Sequence, residues 1–206
     1  MNPETGAVTV NLNEKDNIFE CAPLHVALLY RRIDALQALL DAGASVNKCC
    51  EGLFPIHVAV HMGAYSAFRE FCKQAVELLL ARTAEVSEPS NTPHCTVLHP
   101  PLTLAASLST HIPRQATYQV DDCNQTALHM AAERGLVDVA TLLITAAAAV
   151  APPGEEPTDG STINGTKILL GMKDKNGNTP LHAYAQGQYL TGEMVRIYIS
   201  HHLELY

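Results

Sequence analysis

What most constrains this chain is a short phrase that it repeats. Ala22-Pro23-Leu24-His25-Val26-Ala27, Phe54-Pro55-Ile56-His57-Val58-Ala59, Thr126-Ala127-Leu128-His129-Met130-Ala131 and Thr179-Pro180-Leu181-His182 are versions of it. About fifteen residues beyond each comes a second apolar cluster, at Leu39-Leu40, Leu78-Leu79-Leu80, Leu142-Leu143-Ile144 and Ile197-Tyr198-Ile199, the spacing of a unit near 33 residues. Such a unit holds two short helices and cannot bury its apolar face alone, so its copies have to stack side by side. The expected fold is therefore all-α and solenoidal, not a globule around one central core.

Each residue of the phrase has a physical reason for its place. Thr126 and Thr179 can cap a first helix through their hydroxyls, and Pro23, Pro55 and Pro180 fit a first helical turn, where no amide partner is lost. The following Leu or Ile points inward, while Ala27, Ala59, Ala131, Ala132 and Ala185 keep that helix thin enough for close neighbours. Gly43 can adopt the left-handed turn that ends a second helix, after which Val46 returns apolar surface to the seam. His25, His57, His129 and His182 read as structural, because an imidazole at a helix start can accept from an amide and donate to a carbonyl.

Composition narrows the function. Of the 206 residues 47% are hydrophobic and 17% charged, against about 25% charged in an ordinary globular domain, so a packed chain is expected and not a disordered one. With 13 Lys and Arg against 21 acids and a net charge of -8, the chain lacks the clustered cations that a phosphate backbone demands, and no nucleic-acid partner is expected. The longest apolar run, Val139 to Ala151, falls short of the roughly 20 residues that span a bilayer, so no membrane insertion is expected. The start shows no basic residue ahead of an apolar stretch, and six cysteines form no CxxC pair. These features lead us to expect an intracellular protein, cytoplasmic or nuclear, with most cysteines reduced.

No catalytic pattern emerges: there is neither a GxSxG elbow nor an HExxH helix. Gly160 to Lys167 is superficially like a phosphate-binding loop, but its lysine comes one place late and no buried strand precedes it. Cys49, Cys50, His57 and His61, or His94, Cys95 and His99, are the nearest metal candidates; vicinal cysteines hinder tetrahedral chelation by both, and His57 has a structural duty. No metal, no cofactor and no small-molecule substrate are expected.

The phrases resemble the T-P-L-H signature of the ankyrin repeat, most fully at Thr179 to His182, and the first copy runs without a gap to Gly43-Ala44-Ser45-Val46-Asn47, similar to that family's repeat ending. The likeness covers most of residues 16–206. It implies an ankyrin-type α-solenoid of about five helix-turn-helix repeats with hairpin loops, at about 21–47, 48–86, 87–120, 121–150 and 173–206, behind an extended cap at 1–20. The resemblance further implies a non-catalytic scaffold or adaptor that binds one or more proteins, the alternative being a regulatory or assembly segment of a larger enzyme or complex. By that resemblance, partner contacts fall on Ile18, Phe19, Cys21, Leu29 and Tyr30; on Cys50, Glu51, Leu53, His61 and Met62; on Asp122, Cys123, Gln125, Glu133 and Arg134; and on Lys175, Asn176, Asn178 and Gln186. Leu29, Tyr30, Leu53, His61 and Met62 stand out, being apolar or amphipathic where a merely solvated face would be polar; they are expected either to anchor a partner or, several of them, to pack under the N-terminal segment or the long insertion.

The pattern also breaks in places. An insertion at Ala64 to Gln74 is expected to extend a helix of the second copy or bulge from its inner end, and to be helical. The third copy is irregular: Pro101 should open a helix over Leu102 to Leu108, after an enlarged hairpin loop, and Pro113 should shorten its second helix. Residues 151–172 carry Pro152, Pro153, Gly154, Pro157 and Gly160 and are expected to form a flexible excursion. Val8, Val10 and Leu12 alternate with smaller or polar residues, as an extended segment covering the first repeat would. At the other end Leu203, Leu205 and Tyr206 leave an apolar face for a partner or for further protein.

Overall fold

The computed structural model describes residues 11–16, 21–83, 116–148, 165–187 and 192–203. Each phrase opens a short helix: α1 (Pro23–Leu29), α3 (Pro55–Met62), α5 (Ala127–Glu133) and α8 (Pro180–Gln186). Each is followed by a second helix, α2 (Ile33–Asp41), α4 (Arg69–Thr83), α6 (Val137–Ala148) and α9 (Gly192–Leu203), and α7 (Gly165–Gly171) precedes the last pair. First helices of seven or eight residues are below the length at which a helix holds in water, so their stability comes from stacking.

The stack has two rows. In one, α1 packs on α3, α3 on α5 and α5 on α8; in the other, α2 packs on α4, α4 on α6, and α6 on α7 and α9. Leu24, Leu28, Ile56, Leu79, Leu128, Leu143, Ile144 and Met194 are fully buried along the seam between the rows. Arg82 of α4 pairs with Asp41 of α2 at its edge. α3 packs directly on α5, so the first helices of the second and fourth copies of the phrase are in contact. The helix expected at Leu102 to Leu108 lies outside the described residues. Ala116, Thr117 and Tyr118 form a 3-10 turn that fits against α4, α5 and α6.

Two of the histidines, His25 and His129, join one copy to the next. In the fourth copy the Thr126 amide donates to His129 Nδ1 at 3.1 Å, which leaves the proton on Nε2; that nitrogen donates to the Asn178 carbonyl of the following hairpin at 3.1 Å. His25 makes the same link from Nε2 to the Leu53 carbonyl at 3.3 Å. His57 accepts from the Phe54 amide at 3.3 Å and is wholly buried, but its Nε2 finds no aligned acceptor. Burial lowers the pKa of His25, His57 and His129, that of His57 to about 4, so all three favour the neutral ring. His182 accepts from the Thr179 amide at 3.4 Å but is exposed, as is Leu181 beside it.

The structure refines three expectations. Cys21 and Cys50 are joined by a disulfide, their Cα atoms 5.0 Å apart, an exception to the expectation that most cysteines are reduced. The bond arises because stacking sets the residue before the α1 cap against the foot of the next hairpin, a proximity that residue spacing alone does not express. Gly165 to Gly171, inside the expected flexible excursion, is the helix α7, held by Leu169, which is fully buried. The insertion at 64–74 is largely helical, as expected: a 3-10 turn at Ser66–Phe68 leads into α4, which starts at Arg69. Gly63 lets the end of α3 approach its neighbours closely, since a Cβ there would sit 2.8 Å from both Cys72 Sγ and Leu136 Cδ1. Of the expected N-terminal cap, Leu12 packs against the core and Asn13 Oδ1 accepts from the Ser45 amide at 2.8 Å; Val8 and Val10 lie outside the described residues.

Candidate protein-binding site

Stacking the first helices in one row also aligns their ends. At one end lie the hairpins that precede each phrase. Asp121 Oδ1 accepts from the Cys123 and Gln125 amides, both at 2.8 Å, and Asp174 Oδ1 accepts from the Asn176 and Asn178 amides, both at 2.8 Å. These two carboxylates therefore shape their own loops. Burial works to raise the Asp174 pKa, but the amide donors of Asn178 and Asn176, with His129, outweigh it and hold the carboxyl below its usual value. Adjacent hairpins are tied together as well: the Lys175 amide donates to the Cys123 carbonyl at 3.0 Å and Asn124 Nδ2 to the Lys173 carbonyl at 2.6 Å. Gly52 lies so close to Asp122 that a side chain at 52 would collide with its carboxylate.

The sequence-derived contact residues divide on this framework. Glu51, Asp122, Cys123, Lys175 and Asn176 are exposed on the hairpins, whereas Gln125, Asn178 and Leu53 are half-buried. Cys21 and Cys50 are 6% and 5% exposed and bonded to each other, so they cannot serve as partner contacts while the bond is intact. Ile18 and Phe19 lie outside the described residues.

The opposite ends of the first helices carry the other group. Tyr30, the C-cap of α1, is 71% exposed and Leu29 47%. His61 and Met62 close α3, the first exposed and the second half-buried; Glu133 and Arg134 close α5, and Gln186 closes α8. Arg134 donates to His61 Nδ1 at 3.0 Å and to the Met130 carbonyl at 3.3 Å, bridging the second and fourth copies. Partial burial and then the Arg134 charge lower the His61 pKa. Gly187 continues the row, because its backbone lies against the Glu133 carbonyl.

Three residues of this surface are absent from the sequence-derived set. Arg31 has φ +55, and its guanidinium carbon lies 4.2 Å from the Phe68 ring centroid. Phe68 meets Tyr65 edge-on at 5.9 Å, and Tyr65 is 63% exposed. The signal was present in the insertion, where Tyr65, Phe68 and Phe71 bring aromatic rings into a chain that is only 5% aromatic.

A cleft of about 340 Å³ beside α1, lined by Lys15, Asp16, Pro23 and Val26 among others, opens widely to solvent. Among the described residues no group of three His, Cys, Asp or Glu side chains is arranged to hold a metal, and no helix is long and apolar enough to cross a membrane. Cys72 is buried, and burial pushes its thiol pKa up to about 11, which suppresses the thiolate.

Comparison with known proteins agrees with this architecture. Residues 20–50 and 123–152 match the ankyrin repeat family. The chain is 30% identical to inversin of Mus musculus over 220 aligned residues, covering 95% of this chain and 20% of inversin, and human inversin matches to the same extent. It is 34% identical over 123 residues to human neurogenic locus notch homolog protein 2, covering 59% of this chain and 5% of that protein. The chain thus spans about a fifth of the length of the inversins it matches.

Proposed function

Because the chain is an ankyrin-repeat protein, built of modules that generally mediate protein–protein interaction and are generally non-catalytic, we propose that it is a scaffold or adaptor that binds a protein partner across the aligned ends of its first helices. The observation that carries this reading is the exposure of Tyr30 and Leu29 beside His61 and Met62. An amphipathic ring and aliphatic side chains left in water cost free energy in the unbound protein, and aromatic anchors of this kind dominate interface energetics. The exposed hairpin residues Glu51, Asp122, Cys123, Lys175 and Asn176 extend the surface to a second edge.

A second reading has the chain act as a regulatory or assembly segment with its chemistry elsewhere. It is favoured by the small share of the inversins that the alignment covers. A longer reading frame encoding an enzyme would put it first.

The test is affinity capture with the wild type and with a variant carrying Tyr30→Ala and Met62→Lys. The variant should lose its specific partner while keeping the wild-type melting temperature. Unchanged capture would remove these helix ends from the account.

A further inference from the structure

We infer that the row of helix ends around Tyr30 takes an acidic protein segment, an extended stretch in which carboxylates alternate with apolar side chains. The inference rests on the reading that this face binds protein, and it adds the partner's chemistry.

The C-terminal ends of α1, α3 and α5 lie side by side because their helices pack in sequence. Tyr30 on the first and Tyr65 just beyond the second are both largely exposed, and between them the Arg31 guanidinium rests on the Phe68 ring. A guanidinium held against a ring keeps in-plane N–H donors for a carboxylate, and the stacking fixes it in place beforehand. Neither Arg31 nor its neighbour Arg32 has a carboxylate within ion-pair distance among the described residues. Arg134, on the third helix end, meets only the Met130 carbonyl and the His61 ring, and a lowered pKa keeps that ring uncharged.

These cations are unmatched even though acids stand nearby. Glu70 Oε1 accepts from Gln74 Nε2 at 3.0 Å along its own helix. Asp34 and Asp138 occupy the first turns of α2 and α6, where helix amides favour negative charge. Glu133, exposed and next to Arg134 in the chain, is a carboxylate with which a partner would compete. In a chain of net charge -8, a locus with three guanidiniums free of carboxylate contacts, flanked by two exposed tyrosines, selects for acidic and apolar side chains together. Neighbouring helix axes stand about 8–10 Å apart, so the row from α1 to α5 is about 16–20 Å long. At about 3.3 Å per residue, that length takes about six extended residues.

The test is fluorescence anisotropy on the full chain with three labelled peptides of about twelve residues, enough to overhang the row. One alternates Glu with Leu and Tyr, the second replaces every Glu by Gln, and the third by Lys. The Glu peptide should bind saturably, at least about tenfold tighter than the Gln peptide, as charge-assisted contacts to guanidinium imply. Its affinity should fall as salt rises from about 50 to about 300 mM. Arg31→Gln combined with Arg134→Gln should abolish the preference for Glu while leaving the weak Gln binding in place, and thermal melting reads separately what the loss of the Arg134 bridge costs. Tyr30→Ala should weaken both the Glu and the Gln peptides.

Equal binding of the Glu and Gln peptides, tighter binding of the Lys peptide, or displacement of the Glu peptide by single-stranded RNA would overturn the acidic partner. Absence of any peptide binding would overturn it too. In each case the proposed binding face would still stand or fall separately, on capture by the Tyr30 and Met62 variant.

Discussion

Breaking the Cys21–Cys50 bond should loosen the first two repeats more than any other part of the molecule. The two cysteines are 29 residues apart in sequence, so the bond closes a loop of about 30 residues in the unfolded chain. The loop-closure entropy for that length is about -12 cal/mol/K, worth about 3.6 kcal/mol at 25 °C, and all of it is lost on reduction. If the stack melts as one unit, this lowers the melting temperature by about 7–14 °C for a chain of this size. If the terminal repeats open separately, as solenoids allow, the loss is concentrated in α1, α2 and the hairpin at Cys50, and amides there should exchange faster while those of α5 and α6 are unchanged. The assay compares protein equilibrated in an oxidising glutathione buffer with protein kept in excess reductant, by thermal melting and by hydrogen exchange. Cys21→Ala should reproduce the reduced behaviour and be insensitive to reductant. The reasoning is refuted if the two melts coincide, or if alkylation of the denatured, oxidised protein modifies both Cys21 and Cys50.

Acid should destabilise the stack through its buried histidines. His57 has a folded pKa of about 4 against an ordinary 6.5, so the neutral ring's contribution is complete above about pH 6.5 and is lost as pH falls toward 4. The whole shift corresponds to about 3 kcal/mol, with His25 and His129 shifted in the same direction; urea midpoints that agree at pH 7 and pH 4.5 would contradict it. Gly63→Ala should cost about 1–3 kcal/mol, because its methyl would crowd Cys72 Sγ and Leu136 Cδ1, each 2.8 Å away. Adding Cys72→Ala should recover part of that loss, and strictly additive costs would show that the crowding is elsewhere.

The phrase made the first helices legible residue by residue: α1, α3 and α8 start at Pro23, Pro55 and Pro180, and α5 follows its cap Thr126. The second helices were legible from Leu39-Leu40, Leu78 to Leu80 and Leu142 to Ile144, because an apolar stripe at a fixed distance has to face the same seam in every copy. The helix α7 was not legible. It starts and ends in glycine and offers only Ile168, Leu169 and Leu170, so packing of Leu169 against its neighbours must outweigh a poor local preference. The direct contact of α3 with α5 was hidden as well, since a repeat pattern orders its copies along the chain without saying which are adjacent in space.

The candidate surface was legible only in part. Tyr30, His61 and Arg134 follow from their position in the phrase, but the contact of Arg31 with Phe68, and of Phe68 with Tyr65, depends on how an irregular insertion turns, and no periodicity reports that. Cys21 and Cys50 were misjudged as contact residues for a related reason: the phrase places them near the binding edge, and only stacking shows that each is covered by the other.

The most direct test of the central claim, that these aligned helix ends grip another protein, is site-specific photocrosslinking in cells. A benzophenone side chain is placed at Tyr30, at Tyr65, or at Ala38 on the exposed side of α2. The account predicts one discrete protein adduct shared by positions 30 and 65 and absent from 38. Adducts equally abundant at 38, or none at 30 and 65, would contradict it.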